Sequence, residues 1–260
     1  GFLSMTAHWQ NIDRQHGNNT SPLLVGAQGY RKSTFCRILL PPELRFGYTD
    51  SIDFKSKQDA ERSLGRFFLI NIDEFDQISV NQQGFLKHLL QKPVANLRKP
   101  YGTAIQEIRR YASFIATSNQ KDLLTDPSGS RRFICIEVTD TIDTTRPIDY
   151  GQLYAQAMYE IYHGERYWFD DEDEAVMTES NQEFEQTPPA IQLFYHYFKA
   201  AKEDGEGEYL SPVEILDYLQ KRTTITLSSG KAYHFGRLLQ KEKIPCKHTN
   251  KGTVYLVAKL

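Results

Sequence analysis

A glycine-rich segment between an apolar run and a helical pattern constrains the fold more than any other feature of this 260-residue chain. The apolar run Pro22–Val25 leads into GAQGYRKST at 26–34, and the spacing of Lys32–Leu40 predicts a helix that two prolines end. A glycine turn between a strand and a helix directs backbone N–H groups and the positive end of the helix at an anion. We therefore expect a loop that binds phosphate, in which Lys32 reaches the outer phosphates and the Ser33 hydroxyl is offered to Mg²⁺.

Arg31 occupies the position before the lysine, where a loop of this kind usually has glycine. If the backbone at Arg31 needs a positive φ, arginine costs on the order of 1–2 kcal/mol relative to glycine. If φ is negative, its N–H still donates to phosphate and its side chain adds a cation. We predict a working nucleotide site that Arg31 can slow, with the nucleotide bound by Gly26, Gln28, Gly29, Tyr30, Arg31, Lys32, Ser33 and Thr34.

Apolar runs and helical patterns alternate along the first half of the chain. Phe67–Ile72, Ser113–Thr117 and Arg132–Val138 are typical of buried strands, and Phe85–Leu90 has helical spacing. Strands that alternate with helices predict an α/β domain with a parallel sheet, whose ligands bind beyond the carboxyl ends of the strands.

Polar residues stand directly after two of these strands. Asp73 and Glu74 follow the first, where two carboxylates are costly without partners. A metal ion held by Ser33 and Asp73, and a water activated by Glu74, would explain both acids; a helix-capping acid is the alternative. Asn119 follows the next strand and is a candidate to orient that water or to contact a γ-phosphate, although a turn asparagine looks the same in sequence.

Two adjacent arginines, Arg131 and Arg132, lie in a loop before the last predicted strand. A cation beside a phosphate site can stabilise the charge that develops on a transferred phosphoryl group. We regard both arginines as candidates for that role, with a surface ion pair as the alternative.

Charge divides the chain into three parts, although the net charge is only −2. Residues 1–164 hold 19 basic and 17 acidic side chains, residues 165–208 hold 3 and 13, and residues 209–260 hold 9 and 3. In the basic part, a capping box at Ser211–Glu214 begins two short helices and a closing two-stranded turn, the outline of a winged helix. Such a domain suits either duplex DNA or a protein partner.

Five stretches in this order resemble the ATPase domain of the virulence-associated protein E family: PLLVGAQGYRKSTF, FFLINIDEFD, RKPYG, FIATSN and GSRRF. That family is similar to superfamily 3 helicases and to primase–helicases of phages and mobile elements. The resemblance spans roughly residues 8–138. It implies a P-loop NTPase core of the ASCE, AAA+-like type that binds ATP and Mg²⁺ and forms an oligomeric ring.

The resemblance also implies a role for each polar residue. Lys32 and Ser33 would hold phosphate and metal, Asp73 the metal, Glu74 the water and Asn119 the γ-phosphate. Arg131 or Arg132 would act as a finger on the nucleotide of a neighbouring subunit. Arg31 departs from the family pattern, and this departure bears most on whether the nucleotide site is active.

The segment 87–110 carries six lysines and arginines and a single carboxylate. In superfamily 3 helicases the corresponding stretch forms a hairpin that grips the DNA backbone in the ring channel. Because contacts with phosphate need only positive charge, we predict that this segment binds single-stranded DNA without reading its sequence. A solvated basic surface is the alternative. The predicted contacts are Lys87, Lys92, Arg98, Lys99, Tyr101, Arg109 and Arg110.

The sequence therefore predicts three domains: a P-loop ATPase core at 1–148, a helical acidic bridge at 149–207 and a winged-helix-like domain at 208–260. The expected function is a nucleic-acid-dependent ATPase, a helicase or translocase engine of a mobile-element or phage-type replication protein. The alternative is a nucleotide-gated DNA-binding module with little or no turnover. We expect a cytoplasmic location, because we find no secretory signal, no membrane-length apolar run and no paired cysteine spacing.

Overall fold

The computed structural model describes residues 1–13, 19–98, 105–124, 131–201, 205–224, 232–250 and 252–260. The described chain divides into two compact units, residues 1–186 and 187–260. In the first unit the helices are α1 Phe2–Trp9, α2 Lys32–Ile38, α3 Lys57–Arg66, α4 Val80–Gln91, α5 Tyr150–Tyr162 and α6 Asp171–Ser180. The strands are β1 Ser21–Val25, β2 Tyr48–Thr49, β3 Leu69–Ile72, β4 Val94–Arg98, β5 Ile105–Arg109, β6 Ser113–Ser118 and β7 Phe133–Glu137.

The core of the first unit is a five-stranded sheet in the order β2-β3-β6-β1-β7, and every neighbouring pair is parallel. This confirms the predicted α/β class with a parallel sheet. The register pairs Leu23 with Ala116 and Ile72 with Ala116, so β6 lies between β1 and β3. The carboxyl ends of these three strands therefore meet side by side at one edge of the sheet.

Both faces of the sheet are covered, as the continuous apolar runs predict. On one face Leu23, Ile70 and Phe114 pack in a cluster that includes residues of α3 and α4. On the other face Leu24 and its neighbours pack against α1 and α2. Because side chains alternate between faces along a strand, each central strand contributes apolar residues to both clusters.

A two-stranded antiparallel hairpin, β4 and β5, precedes β6 in the chain. Its register pairs Val94 with Arg109 and Arg98 with Ile105. The predicted basic segment therefore contains a hairpin, whose connecting residues 99–104 lie outside the described part of the chain.

The second unit contains α7 Pro189–Tyr197, α8 Pro212–Gln220 and α9 Ala232–Lys241, with strands β8 Phe198–Ala200, β9 Glu208–Leu210, β10 Cys246–Thr249 and β11 Gly252–Lys259. β11 pairs antiparallel with each of the other three strands. The predicted capping box is present, since Ser211 Oγ accepts from the Glu214 N–H and the Glu214 carboxylate accepts from the Ser211 N–H at 2.7 Å. The small sheet domain is thus observed, and its winged-helix assignment remains a prediction.

The boundary between the units lies inside the segment predicted as an acidic bridge. Asn181 donates to the Phe133 carbonyl at 2.6 Å, and Phe184 is part of the core on the α3–α4 face of the sheet. Ile191 and Phe194 of α7 instead pack in the core of the second unit. The charge pattern did not show this division, because the residues that assign each helix to a unit are buried and uncharged.

Candidate functional site

A pocket of about 360 Å³ lies at the edge of the sheet where β1, β3 and β6 end. Three adjacent parallel strands bring their following loops together there, although Lys32 and Asn119 in two of these loops are 87 residues apart in sequence. The lining residues are Gln28, Gly29, Arg31, Lys32, Ser33, Thr34, Asp73, Glu74, Thr117, Ser118 and Asn119. Two predicted nucleotide contacts, Gly26 and Tyr30, are not among them.

Close backbone packing explains Gly26. A Cβ atom at this position would lie 2.4 Å from the Val138 carbonyl oxygen, so only glycine fits without a shift of the backbone. Tyr30 is fixed through its own carbonyl, which accepts from the Ile142 N–H at 3.1 Å. Both residues are thus held by backbone contacts with the segment that follows β7.

The loop turns into α2 through two left-handed residues. Gly29 has φ of +88°, which glycine adopts without strain, and Arg31 has φ of +58° and ψ of 26°. The backbone at Arg31 therefore needs a positive φ, the first of the two alternatives considered from the sequence. This left-handed conformation is strained for a residue that has a Cβ atom. Arg31 is exposed and lines the pocket.

Lys32 is buried, and its ammonium group points back across the loop. Nζ donates to the carbonyls of Gly26 at 2.8 Å and Ala27 at 2.9 Å, and to Asn119 Oδ1 at 3.0 Å. Burial lowers the pKa of Lys32, and the charges of Asp73 and Asp76 oppose this shift. The bond to Asn119 joins the loop after β1 to the loop after β6.

Ser33 and Asp73, the two residues predicted to share a metal ion, contact each other directly, and the metal ion itself remains a prediction. Ser33 Oγ donates to Asp73 Oδ1 at 2.9 Å, and Thr117 Oγ1 donates to the same oxygen. One hydroxyl and one carboxylate at this separation can contact a single hard cation, and Mg²⁺ commonly uses few protein ligands beside water and phosphate. Among the described residues there is no group of three or more His, Cys, Asp or Glu suited to a metal ion, so the pocket offers this sparse type of site only.

Glu74 is exposed, lines the pocket and has φ of +52° and ψ of 51°. It precedes the 3-10 turn Phe75–Gln77, and Phe75 is fully buried in the core below. A left-handed conformation at a glutamate is strained.

Asp76 was not predicted, yet it ties the loop after β3 to the loop after β6. Its Oδ1 accepts from Ser118 Oγ at 2.9 Å and from the Asn119 N–H at 3.4 Å. Burial raises the pKa of Asp76, but hydrogen bonds from Ser118 and Gln77 outweigh it and the pKa lies below its usual range. Asp76 therefore stays ionised and holds Asn119 beside Lys32. The third acid of the DEFD stretch at 73–76 is the sequence signal that could have identified it.

The two arginine candidates lie away from this pocket, since they directly precede β7 and so stand at the amino edge of the sheet. Arg131 is exposed and forms an ion pair with Glu174 at 3.4 Å. Arg132 is buried beside the side-chain amide of Gln91, and burial lowers the pKa of Arg132. Of the two, Arg131 is the one accessible to another molecule.

The predicted nucleic-acid contacts are distributed over different environments. Lys87 is half-buried on α4, and Lys92 Nζ pairs with Glu61 Oε1 at 2.6 Å. Arg109 donates to the His8 carbonyl and stacks over Tyr111. Arg98 ends β4, while Lys99 and Tyr101 lie outside the described residues.

Arg110 differs most from its predicted role. It is 2% exposed, and it donates from Nε to the Ala112 carbonyl and from Nη1 to the Leu90 carbonyl, both at 2.6 Å. Its guanidinium also lies over the Phe114 ring. A side chain buried in this way does not present its charge to a strand on the surface, and two of its nitrogens, Nε and Nη1, already donate to interior carbonyls.

The family model for the virulence-associated protein E-like domain matches residues 16–186, which is more than half of the chain and includes every pocket residue. The chain belongs to this family. A second family model, described as a domain of unknown function (DUF3874), matches residues 187–257. The boundary between the two matches coincides with the boundary between the two compact units.

Solved structures similar to this family member include the apo structure of the NrS-1 C-terminal region (305–718). That alignment has 10% sequence identity and a TM-score of 0.42, and it covers 98% of this chain and 71% of that chain. An A-form apo structure of the same region has 11% identity and a TM-score of 0.40 over 98% and 70% of the two chains. No curated protein sequence matches the chain significantly. Within the described residues, no helix has the length and apolar character needed to span a membrane.

Proposed function

We propose that this chain is a P-loop NTPase that binds ATP with Mg²⁺ and hydrolyses it in response to nucleic acid, as the engine of a mobile-element or phage-type replication protein. One observation carries the proposal: two hydrogen-bonded pairs, Lys32 with Asn119 and Ser33 with Asp73, line a single pocket. These are the groups that phosphoryl transfer from a nucleotide uses, and they come from three strand ends that the sheet order makes adjacent.

In the proposed site, Lys32 binds the outer phosphates. Hydrogen bonds to the Gly26 and Ala27 carbonyls hold the Lys32 ammonium group against the loop. A phosphate oxygen bound in the loop can therefore accept a hydrogen bond from Nζ without a long movement of the side chain. Ser33 and Asp73 would hold Mg²⁺, which supplies positive charge to the phosphate oxygens when bound. The buried position of Lys32 strengthens its attraction for phosphate, because less water screens the charge.

Glu74 is the proposed base for the attacking water. A positioned base of this type contributes about 10²–10⁴ to a rate. Asn119 would contact the γ-phosphate or the water, and Asp76 holds its backbone in place for that contact. When phosphate binds Lys32, the bond from Nζ to Asn119 Oδ1 is free to exchange, which gives the site a means to sense the nucleotide.

Arg131 is the proposed finger, supplied to the pocket of a neighbouring subunit in a homo-oligomeric ring. Its exposure and its position at the opposite edge of the sheet from the pocket support action between subunits rather than within one. The β4–β5 hairpin is the proposed contact with single-stranded DNA, because it carries Arg98 and leads into the basic residue Lys99.

A second candidate is a nucleotide-gated DNA-binding module with little turnover. The left-handed conformation of Arg31 favours it, since a strained residue in the loop can displace the N–H groups that hold phosphate. Both candidates require ATP binding, and they differ only in hydrolysis.

Isothermal titration of ATP with Mg²⁺ tests the shared part of both candidates. We expect wild-type chain and a Lys57→Ala control, which removes an exposed lysine outside the pocket, to bind ATP, and Lys32→Ala not to bind it. Undiminished affinity in Lys32→Ala would move the site elsewhere. ATP hydrolysis that single-stranded DNA stimulates would then select the ATPase over the gated module.

A further inference from the structure

A second cavity, of about 520 Å³, lies at the other edge of the sheet. Its lining includes Asn19, two residues before β1, and Arg110, three residues before β6. Because the strands are parallel, their amino ends are opposite the carboxyl ends that hold Lys32 and Asp73. The cavity is therefore separate from the proposed nucleotide site.

Positive charge predominates around this cavity. Lys92, Arg109 and Arg110 line it, and Asp13 is the only carboxylate among its described lining residues. Counting Glu61 as well, which pairs with Lys92, three cations face two carboxylates.

Arg110 is the least compensated of these cations. Its Nε and Nη1 donate to neutral backbone carbonyls, and Nη2 is buried without a hydrogen-bond partner among the described residues. Burial lowers the pKa of Arg110 to about 10, and the charge of Asp13 opposes that shift. A buried guanidinium with an unused donor is costly unless an anion completes its surroundings.

His8 also lines this cavity, and one of its ring nitrogens lacks a hydrogen-bond partner among the described residues. Its Nδ1 lies 2.6 Å from Asp13 Oδ2, and because an ionised carboxylate only accepts, Nδ1 carries the proton. The other ring nitrogen, Nε2, is buried and has no partner among the described residues. Nε2 can accept from a protonated phosphate oxygen or, once protonated itself, donate to an ionised one.

We propose that this cavity is a binding site for a single phosphate group, either inorganic phosphate or the terminal phosphate of a nucleic-acid strand. Arg110 and His8 form its wall, and Lys92 and Arg109, which are half-buried, form its accessible side. Phosphate suits the site because its several oxygens accept from cations that approach from different elements, and guanidinium groups match it geometrically. This differs from the contact predicted for a strand running along the hairpin, which would need these charges on the surface.

Titration calorimetry with inorganic phosphate tests the site in a Lys32→Ala background, which removes phosphate binding at the other pocket. We expect one phosphate per chain. Arg109→Gln and Lys92→Gln should each weaken binding about tenfold or more, the scale of one hydrogen bond to a charged group. Arg66→Gln is the matched control, because it removes an exposed cation that does not line the cavity.

Absence of phosphate binding at millimolar concentration would overturn the proposal, and so would equal binding by all three variants. Unchanged melting temperatures of the two lining variants would show that weaker binding is not a loss of fold. Oligonucleotides with a 5′-phosphate or a 5′-hydroxyl then distinguish the two sources. Preference for the 5′-phosphate that free phosphate competes away identifies a strand end, and equal affinity for both oligonucleotides identifies the free ion.

Discussion

The pocket at the carboxyl edge and the basic segment 87–110 were both predicted as binding regions. The structure brings most of the predicted pocket residues together, but it places the residues of the basic segment in different environments. In the pocket, six of the eight predicted loop residues line one cavity together with Asp73, Glu74 and Asn119. In the basic segment, Lys92 is paired with Glu61 and Arg110 is buried against carbonyls.

The difference follows from what each pattern encodes. A strand–glycine turn–helix pattern specifies a backbone path, and a path determines where the side chains after it point. A run of lysines and arginines specifies only composition, so it does not distinguish a charge offered to a ligand from one used to satisfy the interior. Spacing tied to secondary structure is therefore the stronger predictor of which side chains line one pocket.

The largest expected effect is on ATP turnover at the pocket, the first of the two regions compared. Glu74→Gln should lower ATP turnover by about 10² or more and leave ATP affinity roughly intact, because the amide keeps the shape of the side chain but cannot take a proton from water. Steady-state hydrolysis and calorimetric affinity measured on the same preparation check this. Equal loss of binding and turnover would make Glu74 a structural or metal-binding group instead.

Arg110 provides the opposite case, a predicted ligand contact that the structure gives an interior role. Arg110→Ala should lower the free energy of unfolding of residues 1–186 by about 2–4 kcal/mol, because it leaves the Ala112 and Leu90 carbonyls without their donor. Both tryptophans of the chain, Trp9 and Trp168, lie in this unit, so their fluorescence in a urea titration reports on it alone.

Arg146→Ala is the control for that titration, since the Arg146 side chain is 87% exposed. It should change stability by no more than about 0.5 kcal/mol. If Arg110→Ala were equally mild, the buried guanidinium would not be needed for the fold, and its original assignment to nucleic acid would regain weight.

Arg98, which ends β4, and Lys99, which follows it in the sequence, test the prediction that the basic segment binds single-stranded DNA. Replacing Arg98 and Lys99 by alanine should weaken single-stranded DNA of any sequence alike. It should flatten the log–log salt dependence by about 1.4, the contribution of two phosphates on a single strand. Fluorescence anisotropy over a salt series measures the slope. An unchanged slope would place the DNA contact outside the hairpin.

The sequence predicts those features of the fold and the site that follow from local patterns, and it misses those that depend on contacts between residues far apart in the chain. The parallel sheet and the meeting of Lys32, Asp73 and Asn119 follow from apolar runs and from the polar residues that end them. Asp76 was missed, because its importance lies in a hydrogen bond to a loop more than 40 residues away. The unit boundary at residue 186 was missed for a similar reason, since Asn181 and Phe184 attach their segment to the sheet through buried contacts that no charge pattern reports.

Arg31 lines the pocket but departs from the expected motif, and its replacement has the smallest expected effect. Its left-handed backbone costs about 1–2 kcal/mol, and glycine recovers this but loses about 0.5–1 kcal/mol through its freer unfolded chain. Arg31→Gly should therefore stabilise residues 1–186 by about 0.5–1 kcal/mol in the same urea titration. Arg31→Ala is the matched variant, because it keeps the strained backbone and removes only the guanidinium. If glycine raises ATP turnover and alanine does not, the backbone strain slows the site. If both lower turnover at unchanged affinity, the Arg31 cation acts on the transferred phosphate, and the glycine-to-arginine change is part of the mechanism.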